Sequence, residues 1–143
     1  MAEIREKIDA EFENLERVVL ELPEAENLDK LSTLELSGVA VLVHNFYNGI
    51  ENILKQVALL GSLRLPDGPS WHSDLLTSSC TEGVISDSTK ERLKEYLGFR
   101  HFFSHAYAFD LETERLLPLA EELPETLRLF KEDIEKAVEK LSG

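Results

Sequence analysis

The sequence predicts an all-α fold, a single-domain, up-and-down bundle of four long helices and one short helix. The length of 143 residues suits one domain with a single hydrophobic core. Apolar residues recur at spacings of three and four along most of the chain, and no alternation typical of β-strands reaches a useful length. No internal repeat or low-complexity linker divides the sequence, so we expect residues 1–143 to form one domain.

Two amphipathic patterns predict the first two helices. One covers residues 2–22 and ends at Pro23, and the other runs from about Asn27 or Asp29 to Leu60. The first stripe contains Ile4, Ile8, Phe12, Leu15, Val19 and Leu22, and the second contains Leu31, Leu34, Val39, Leu42, Phe46, Ile50, Ile53, Val57 and Leu60. The second helix is apolar nearly all round from residue 39 to 43, which predicts a central helix buried on more than one side.

A loop and a short helix are predicted next. Residues 65–70 contain two prolines and a glycine, which is typical of a loop, and residues 71–80 suit a short helix with Trp71, Leu75 and Leu76 facing inward. Ser88 and Glu91 have the spacing of a capping box, so we expect the next helix to begin near residue 88 and to run through Phe109.

Two prolines interrupt the C-terminal segment. Because proline suits the first turn of a helix better than its interior, Pro118 and Pro124 predict a last helix that begins near residue 119 or 124 and ends near 141. Its predicted buried residues are Leu127, Phe130, Ile134, Val138 and Leu141.

The net charge of −13 argues against broad nonspecific binding to nucleic acid, whose affinity comes from neutralised phosphates. Most carboxylates lie in residues 1–29 and 110–139, whereas residues 90–105 are rich in basic groups. These are Lys90, Arg92, Lys94, Arg100, His101 and His105. Since a local positive field is compatible with a negative total charge, this segment is either a small anion-binding cleft or a mixed, solvated helix face.

The cellular compartment is inferred from what the sequence contains. A single cysteine, Cys80, allows no internal disulfide and fits a reducing environment. No apolar run approaches the roughly 18 residues of a membrane span, and the acidic N-terminal residues do not resemble the basic start of a signal peptide. We therefore expect a cytoplasmic location without membrane association.

The segment from Phe99 to Tyr107 carries the candidate chemistry. An arginine can hold a phosphate, and an imidazole can move a proton near neutral pH. With about 100° of rotation per residue, Arg100 and His105 would lie about 140° apart on a helix, although the long arginine side chain can reach round. The same geometry would place Arg100, Ser104 and Tyr107 on one face and His101 with His105 on another.

The pattern Arg100-x4-His105-x-Tyr107 resembles the R-x4-H-x-Y signature of HEPN domains, in particular HepT-like ribonuclease toxins. Three further segments are similar to that family, namely residues 44–51 on the second helix, 71–76 on the short helix and 96–101 before the motif. The resemblance extends from about residue 10 to 140.

This resemblance implies a helical homodimer in which the motif helices meet at a shared cleft, and an endoribonuclease that uses no metal and no cofactor. Arg100 would bind the scissile phosphate, and His105 would act as general base or acid. The expected RNA products are a 2′,3′-cyclic phosphate and a 5′-hydroxyl. Tyr107 matches the tyrosine that an MntA-like minimal nucleotidyltransferase antitoxin modifies with AMP, which silences the toxin.

Other interpretations remain open at this stage. The chain could be a noncatalytic HEPN subunit or scaffold that binds a nucleotidyltransferase, which the strong negative charge favours. His101 and Ser104 are candidates for assisting roles, and so are Asn48 and Glu51, which could instead belong to a polar helix face. His101 and His105 have the spacing of a metal pair, but the HExxH glutamate is missing.

Two further assignments concern residues outside the motif. Trp71 and His72 suit a structural latch over the preceding loop better than a chemical role. Phe99, Phe102, Phe103 and Phe109 are expected to pack in the interior.

Overall fold

The computed structural model describes residues 2–143 and all of their side chains except that of Ala108, and the fold over this range is all-α. The five α-helices are α1 (Ala2–Glu21), α2 (Thr33–Leu60), α3 (Trp71–Thr81), α4 (Asp87–His105) and α5 (Thr113–Ser142). Two short 3₁₀ helices, Ala25–Lys30 and Ala108–Asp110, lie in the connections, and no strand occurs among the described residues. The predicted bundle of four long helices and one short helix is confirmed.

Helix α2 is the centre of the bundle. It contacts each of the other four α-helices, and Val43, Phe46, Ile50 and Ile53 on it are completely buried. Because its sequence is apolar on nearly all sides in the middle, the helix is stable only when neighbours cover it all round. The prediction of a helix buried on more than one side is therefore confirmed.

The predicted start of α2 was too early. A 3₁₀ helix covers Ala25–Lys30, and the α-helix begins only after Ser32, whose hydroxyl accepts a hydrogen bond from the backbone N–H of Glu35 at 3.1 Å. The Glu35 carboxylate accepts in turn from the Ser32 N–H at 3.0 Å, which completes a capping box. Leu34, placed in the apolar stripe by the sequence, lies in the first turn and is 83% exposed.

The predicted start of α4 near residue 88 is confirmed to within one residue, but the predicted capping box and the predicted end are wrong. Ser86, rather than Ser88, is the N-cap, because its hydroxyl accepts from the N–H of Thr89 at 3.1 Å while its own N–H donates to Asp133 on α5 at 3.0 Å. The helix ends at His105 instead of Phe109, since Ala106 adopts an extended backbone with φ −98° and ψ 150°.

Helix α5 contains both prolines in its interior, contrary to the prediction that one of them starts it. A proline inside a helix typically costs about 3 kcal/mol, because a hydrogen bond is lost and the ring clashes with the preceding turn. Both rings are exposed, and the neighbouring Leu116, Leu119 and Leu123 are buried. Packing of this apolar stripe outweighs the local penalty.

Helices α1 and α2 approach closely at Gly49. A β-carbon at this position would lie 2.5 Å from Cδ2 of the buried Leu15, so the absence of a side chain sets the distance between the two helices.

Among the described residues, no helix combines the length and the apolar character that crossing a membrane would require.

Candidate active site

Helix α4 presents the motif from a firmly anchored backbone. Leu93, Tyr96 and Phe99 are buried, and the Tyr96 hydroxyl donates to the carbonyl oxygen of Leu119 on α5 at 2.6 Å. Burial raises the pKa of Tyr96 well above its usual value, so the hydroxyl stays protonated as a donor. The last two turns of α4, which carry Arg100 and His105, therefore have a fixed position relative to α5.

Arg100 is half-buried and points towards α2. Its Nε atom is enclosed and has no hydrogen-bond partner, and no carboxylate oxygen of residues 2–143 lies within 4.0 Å of its guanidinium nitrogens. Arg92, two turns earlier on the same helix, instead pairs with Glu122 at 3.2 Å. Arg100 thus differs from a structural arginine, because its charge is not neutralised by a neighbouring carboxylate.

Two polar side chains of α2, His44 and Tyr47, lie near Arg100. Both also interact with Glu51, which lies one turn beyond Tyr47 on the same face of α2. Burial, and next the positive charge of Arg100, hold the pKa of His44 below its usual value, while the Glu51 carboxylate opposes this. Burial raises the pKa of Tyr47 strongly. The Nδ1 of His44 and the hydroxyl of Tyr47 are both enclosed without a hydrogen-bond partner.

The alternative interpretation of the sequence placed Glu51 on a polar helix face, and the structure contradicts it for this residue. It is only 3% exposed, and its carboxylate lies 2.8 Å and 3.0 Å from Nδ1 of His72 on α3. The His72 ring stacks on Trp71 with centroids 3.6 Å apart, and Lys55 lies over the Trp71 ring at 4.1 Å. These contacts fasten the start of α3 to the middle of α2.

His101 and His105 lie on the opposite, exposed side of α4. Their rings are in edge-to-face contact with centroids 5.1 Å apart. Both line a pocket of about 380 Å³ at the end of the helix, together with Asp110 and Arg115. The pocket is open to solvent, so an anionic ligand could reach both imidazoles.

Within one chain, Arg100 and His105 do not share a pocket. Arg100 faces the polar residues of α2, whereas His105 faces the solvent-exposed pocket beside Arg115. Their angular separation on a continuous helix explains this difference. The long reach of the arginine side chain, which the sequence allowed, is not used in this conformation.

Tyr107 lies beyond the helix end, so it does not share a helical face with Arg100 and Ser104. Its ring is 71% exposed and stacks on Phe109, which is 77% exposed rather than packed in the interior as predicted. The ring centroids are 5.4 Å apart, and the planes are within 3° of parallel.

The remaining two candidates lie apart from these groups. The Ser104 hydroxyl donates to the carbonyl oxygen of Arg100 at 2.9 Å, which is a local bond within the helix. Asn48 lines a groove of about 430 Å³ between α1 and α2, with Asn14 and Asn45 among its neighbours. Over residues 2–143, no three histidine, cysteine or acidic side chains are grouped so that they could hold a metal ion.

Comparison with known families identifies the chain. The profile of HepT-like proteins matches residues 38–141, which covers most of α2, all of α3 and α4, and all of α5 but its last residue. The chain belongs to the HepT-like family.

The HepT-like match includes the entire candidate site, since His44, Glu51, His72, Arg100 and Tyr107 all lie within it. Searches of curated proteins and of solved structures found no significant match. The family assignment therefore rests on the family profile, and it agrees with the resemblance carried by the motif.

The sequence alone did not single out His44 as a neighbour of Arg100, and it treated His72 as a latch without identifying its partner. Both contacts join residues far apart in the chain, and helical periodicity carries no information on such pairs. One signal was available for His44: a histidine on the most apolar helix of this HepT-like chain must face either solvent or a polar partner.

Proposed function

We propose that the protein is a metal-independent endoribonuclease that uses Arg100 and His105, the toxin of a toxin–antitoxin pair. The observation that carries this proposal is Arg100, a half-buried guanidinium that has no carboxylate within 4.0 Å among the described residues of a HepT-like chain. A chain with 28 acidic residues could readily have neutralised this charge. An unpaired arginine is suited to an anion from outside, and RNA phosphate is such an anion.

The proposed reaction needs one proton acceptor and one proton donor. The ribose 2′-oxygen attacks the adjacent phosphorus while its proton passes to an imidazole, and the bond from phosphorus to the 5′-oxygen breaks as that oxygen gains a proton. The products are a 2′,3′-cyclic phosphate and a 5′-hydroxyl. Arg100 stabilises the charge that develops on the phosphate oxygens, and His105 is exposed at the helix end, where it can exchange protons.

The separation of Arg100 and His105 within one chain supports a site shared by two subunits. In a homodimer whose α4 helices meet, each subunit would contribute one Arg100 and one His105 to a common cleft, so that one imidazole accepts a proton while the other donates one. Mixed dimers of wild type and His105→Ala test this arrangement. Shared sites predict less than half of the wild-type activity, whereas full activity per wild-type subunit would contradict sharing.

The decisive experiment is cleavage of a labelled RNA pool by purified protein in the presence of EDTA. Wild type should cleave, and Arg100→Ala and His105→Ala should each lose about a hundredfold or more of the rate. Arg92→Ala is the matched control, because Arg92 lies on the same helix but is already paired with Glu122. His101→Ala measures whether the neighbouring histidine assists. Cleavage that requires a divalent metal would contradict the proposal.

Silencing by a nucleotidyltransferase is the second part of the proposal. Tyr107 is exposed, so a modifying enzyme can reach its hydroxyl. AMP on this oxygen would add a negative charge and a large group close to His105, which would repel an RNA phosphate. An MntA-like partner with ATP should raise the intact mass by one AMP and abolish cleavage, and Tyr107→Phe should remain active and unmodified.

A noncatalytic binding subunit for a nucleotidyltransferase is the second candidate function. The net charge of −13 favours it, because a negative surface weakens the attraction of RNA. A folded, dimeric protein that cleaves no RNA but binds a nucleotidyltransferase would support this alternative.

A further inference from the structure

The aromatic pair of Tyr107 and Phe109 is unusual for a protein surface. Both rings are more than two-thirds exposed, and they stack on each other instead of entering the core. The other strongly exposed large apolar side chains of the described residues, such as Leu20 and Leu34, are aliphatic. Scattered apolar side chains need no explanation, but two exposed rings stacked on each other form an apolar patch whose outer ring faces are flat.

A tight turn holds the pair in place. The backbone N–H of Tyr107 donates to the Asp110 carboxylate at 3.0 Å, and the N–H of Asp110 donates to the carbonyl oxygen of Tyr107 at 2.9 Å. The turn also contacts α2 through the short 3₁₀ helix. The two rings are therefore attached to a defined backbone rather than to a loose loop.

Cationic and proton-transferring groups lie directly beside this turn. Ala106 and Asp110 of the turn line the same pocket as His101, His105 and Arg115. The Arg115 guanidinium is held over the Phe102 ring at 4.0 Å, so it remains at the pocket edge. A flat aromatic surface next to an arginine and two imidazoles matches a ligand that has both a planar ring and a phosphate.

We propose that Tyr107 and Phe109 form a stacking platform for a base of single-stranded RNA, whose adjoining phosphate enters the pocket of His105 and Arg115. This inference rests on the proposed ribonuclease function and specifies its substrate. Bases in a duplex have both faces covered, so only an unpaired nucleotide can use the platform. Because the net charge gives little general attraction for RNA, base stacking supplies affinity that the overall electrostatics of this protein cannot.

Binding of an RNA strand that cannot be cleaved tests the platform separately from catalysis. A fluorescein-labelled octanucleotide with 2′-O-methyl groups lacks the attacking hydroxyl, and its affinity is measured by fluorescence anisotropy. Phe109→Ala should weaken binding about tenfold, and Phe109→Trp should preserve it, because stacking needs an aromatic face. Leu20→Ala is the matched control, since it removes an equally exposed apolar side chain on α1.

A second comparison uses an abasic strand of the same length and charge. Wild type should prefer the strand with bases, and Phe109→Ala should lose that preference. Equal affinity of wild type and Phe109→Ala would overturn the platform, as would equal binding of a duplex. Loss of binding together with dissociation into monomers would also overturn it, because the pair would then belong to the subunit interface.

The two proposals fail in different ways. If wild type cleaves RNA and Phe109→Ala binds and cleaves equally well, the platform is wrong and the ribonuclease proposal stands. If the wild-type protein cleaves no RNA but binds the single strand more tightly than Phe109→Ala does, the ribonuclease proposal is wrong and the platform stands.

Discussion

The Glu51 carboxylate lies 2.8 Å from Nδ1 of His72, and this contact joins the centre of the bundle to the first turn of α3. Glu51 is almost fully buried, so its carboxylate depends on the imidazole for a hydrogen bond. The pair is placed on the α2 face that also carries His44 and Tyr47, the residues near Arg100. Substitution of Glu51 or His72 should therefore affect both the stability of the bundle and the surroundings of the candidate site.

Removal of the imidazole should destabilise the fold. His72→Ala leaves the buried Glu51 carboxylate without its partner, and we expect a loss of about 3 kcal/mol in the free energy of unfolding. Glu51→Gln should be milder, about 1 kcal/mol, because the amide oxygen can still accept a hydrogen bond from the imidazole. Urea denaturation at pH 7.5, followed by circular dichroism, measures both values. Equal losses for the two variants would contradict the view that the buried Glu51 carboxylate needs His72 as its hydrogen-bond partner.

Lowering the pH should destabilise the folded protein, in part because His44 must bind a proton in a buried position next to Arg100. Burial and Arg100 lower the pKa of His44 in the folded state, so between that lowered pKa and the unfolded value near 6.5 the unfolded chain binds more protons. The contribution of His44 to stability is thus fully present above pH 6.5 and is lost as the pH falls. Denaturation midpoints of wild type and His44→Gln from pH 8 to pH 5 test this. The variant should have the shallower pH dependence, and parallel curves would contradict the prediction.

Two glycines of α2 should respond in opposite ways to alanine. Gly38→Ala places a methyl group in open space and should stabilise the helix by about 0.5–1 kcal/mol. Gly49→Ala should destabilise by about 1–3 kcal/mol, because the new Cβ would lie 2.5 Å from Leu15 in the tightly packed contact with α1. Thermal unfolding of the two variants provides a matched comparison on one helix. A stabilising Gly49→Ala would show that α1 can move away without loss.

Arg100 should lower the stability of the fold, because its charge serves function and not folding. It is half-buried beside His44 and has no carboxylate within 4.0 Å in the described chain, so Arg100→Met should raise the free energy of unfolding by about 1 kcal/mol. Arg92→Met, which breaks the pair with Glu122, should leave stability unchanged or lower it by up to about 1 kcal/mol. Denaturation in urea separates these outcomes. A destabilised Arg100→Met would indicate a structural role for the guanidinium.

The sequence by itself determined the helical fold, because the spacing of apolar residues fixes which face of each helix must be covered. It also located the motif and its family, since residue types and spacing along one helix are local properties. The sequence predicted helix boundaries incorrectly where two residues suit the same boundary, or where a local preference opposes tertiary packing. Ser86 and Ser88 both suit an N-cap, and the hydrogen bond from Ser86 to Asp133 of α5 favours the first. In α5, burial of the neighbouring leucines against other helices overrides the local effect of Pro118 and Pro124.

Only the tertiary structure decided which polar groups meet. The pairing of Glu51 with His72, 21 residues apart, and the position of His44 beside Arg100 depend on how α2, α3 and α4 pack. The extended backbone at Ala106 ended the helix and brought Tyr107 and Phe109 together at the surface, whereas a continuous helix would have separated them. The physical reason is that periodicity reports which face of a helix is apolar, while the partner of each side chain is set by the packing of whole helices.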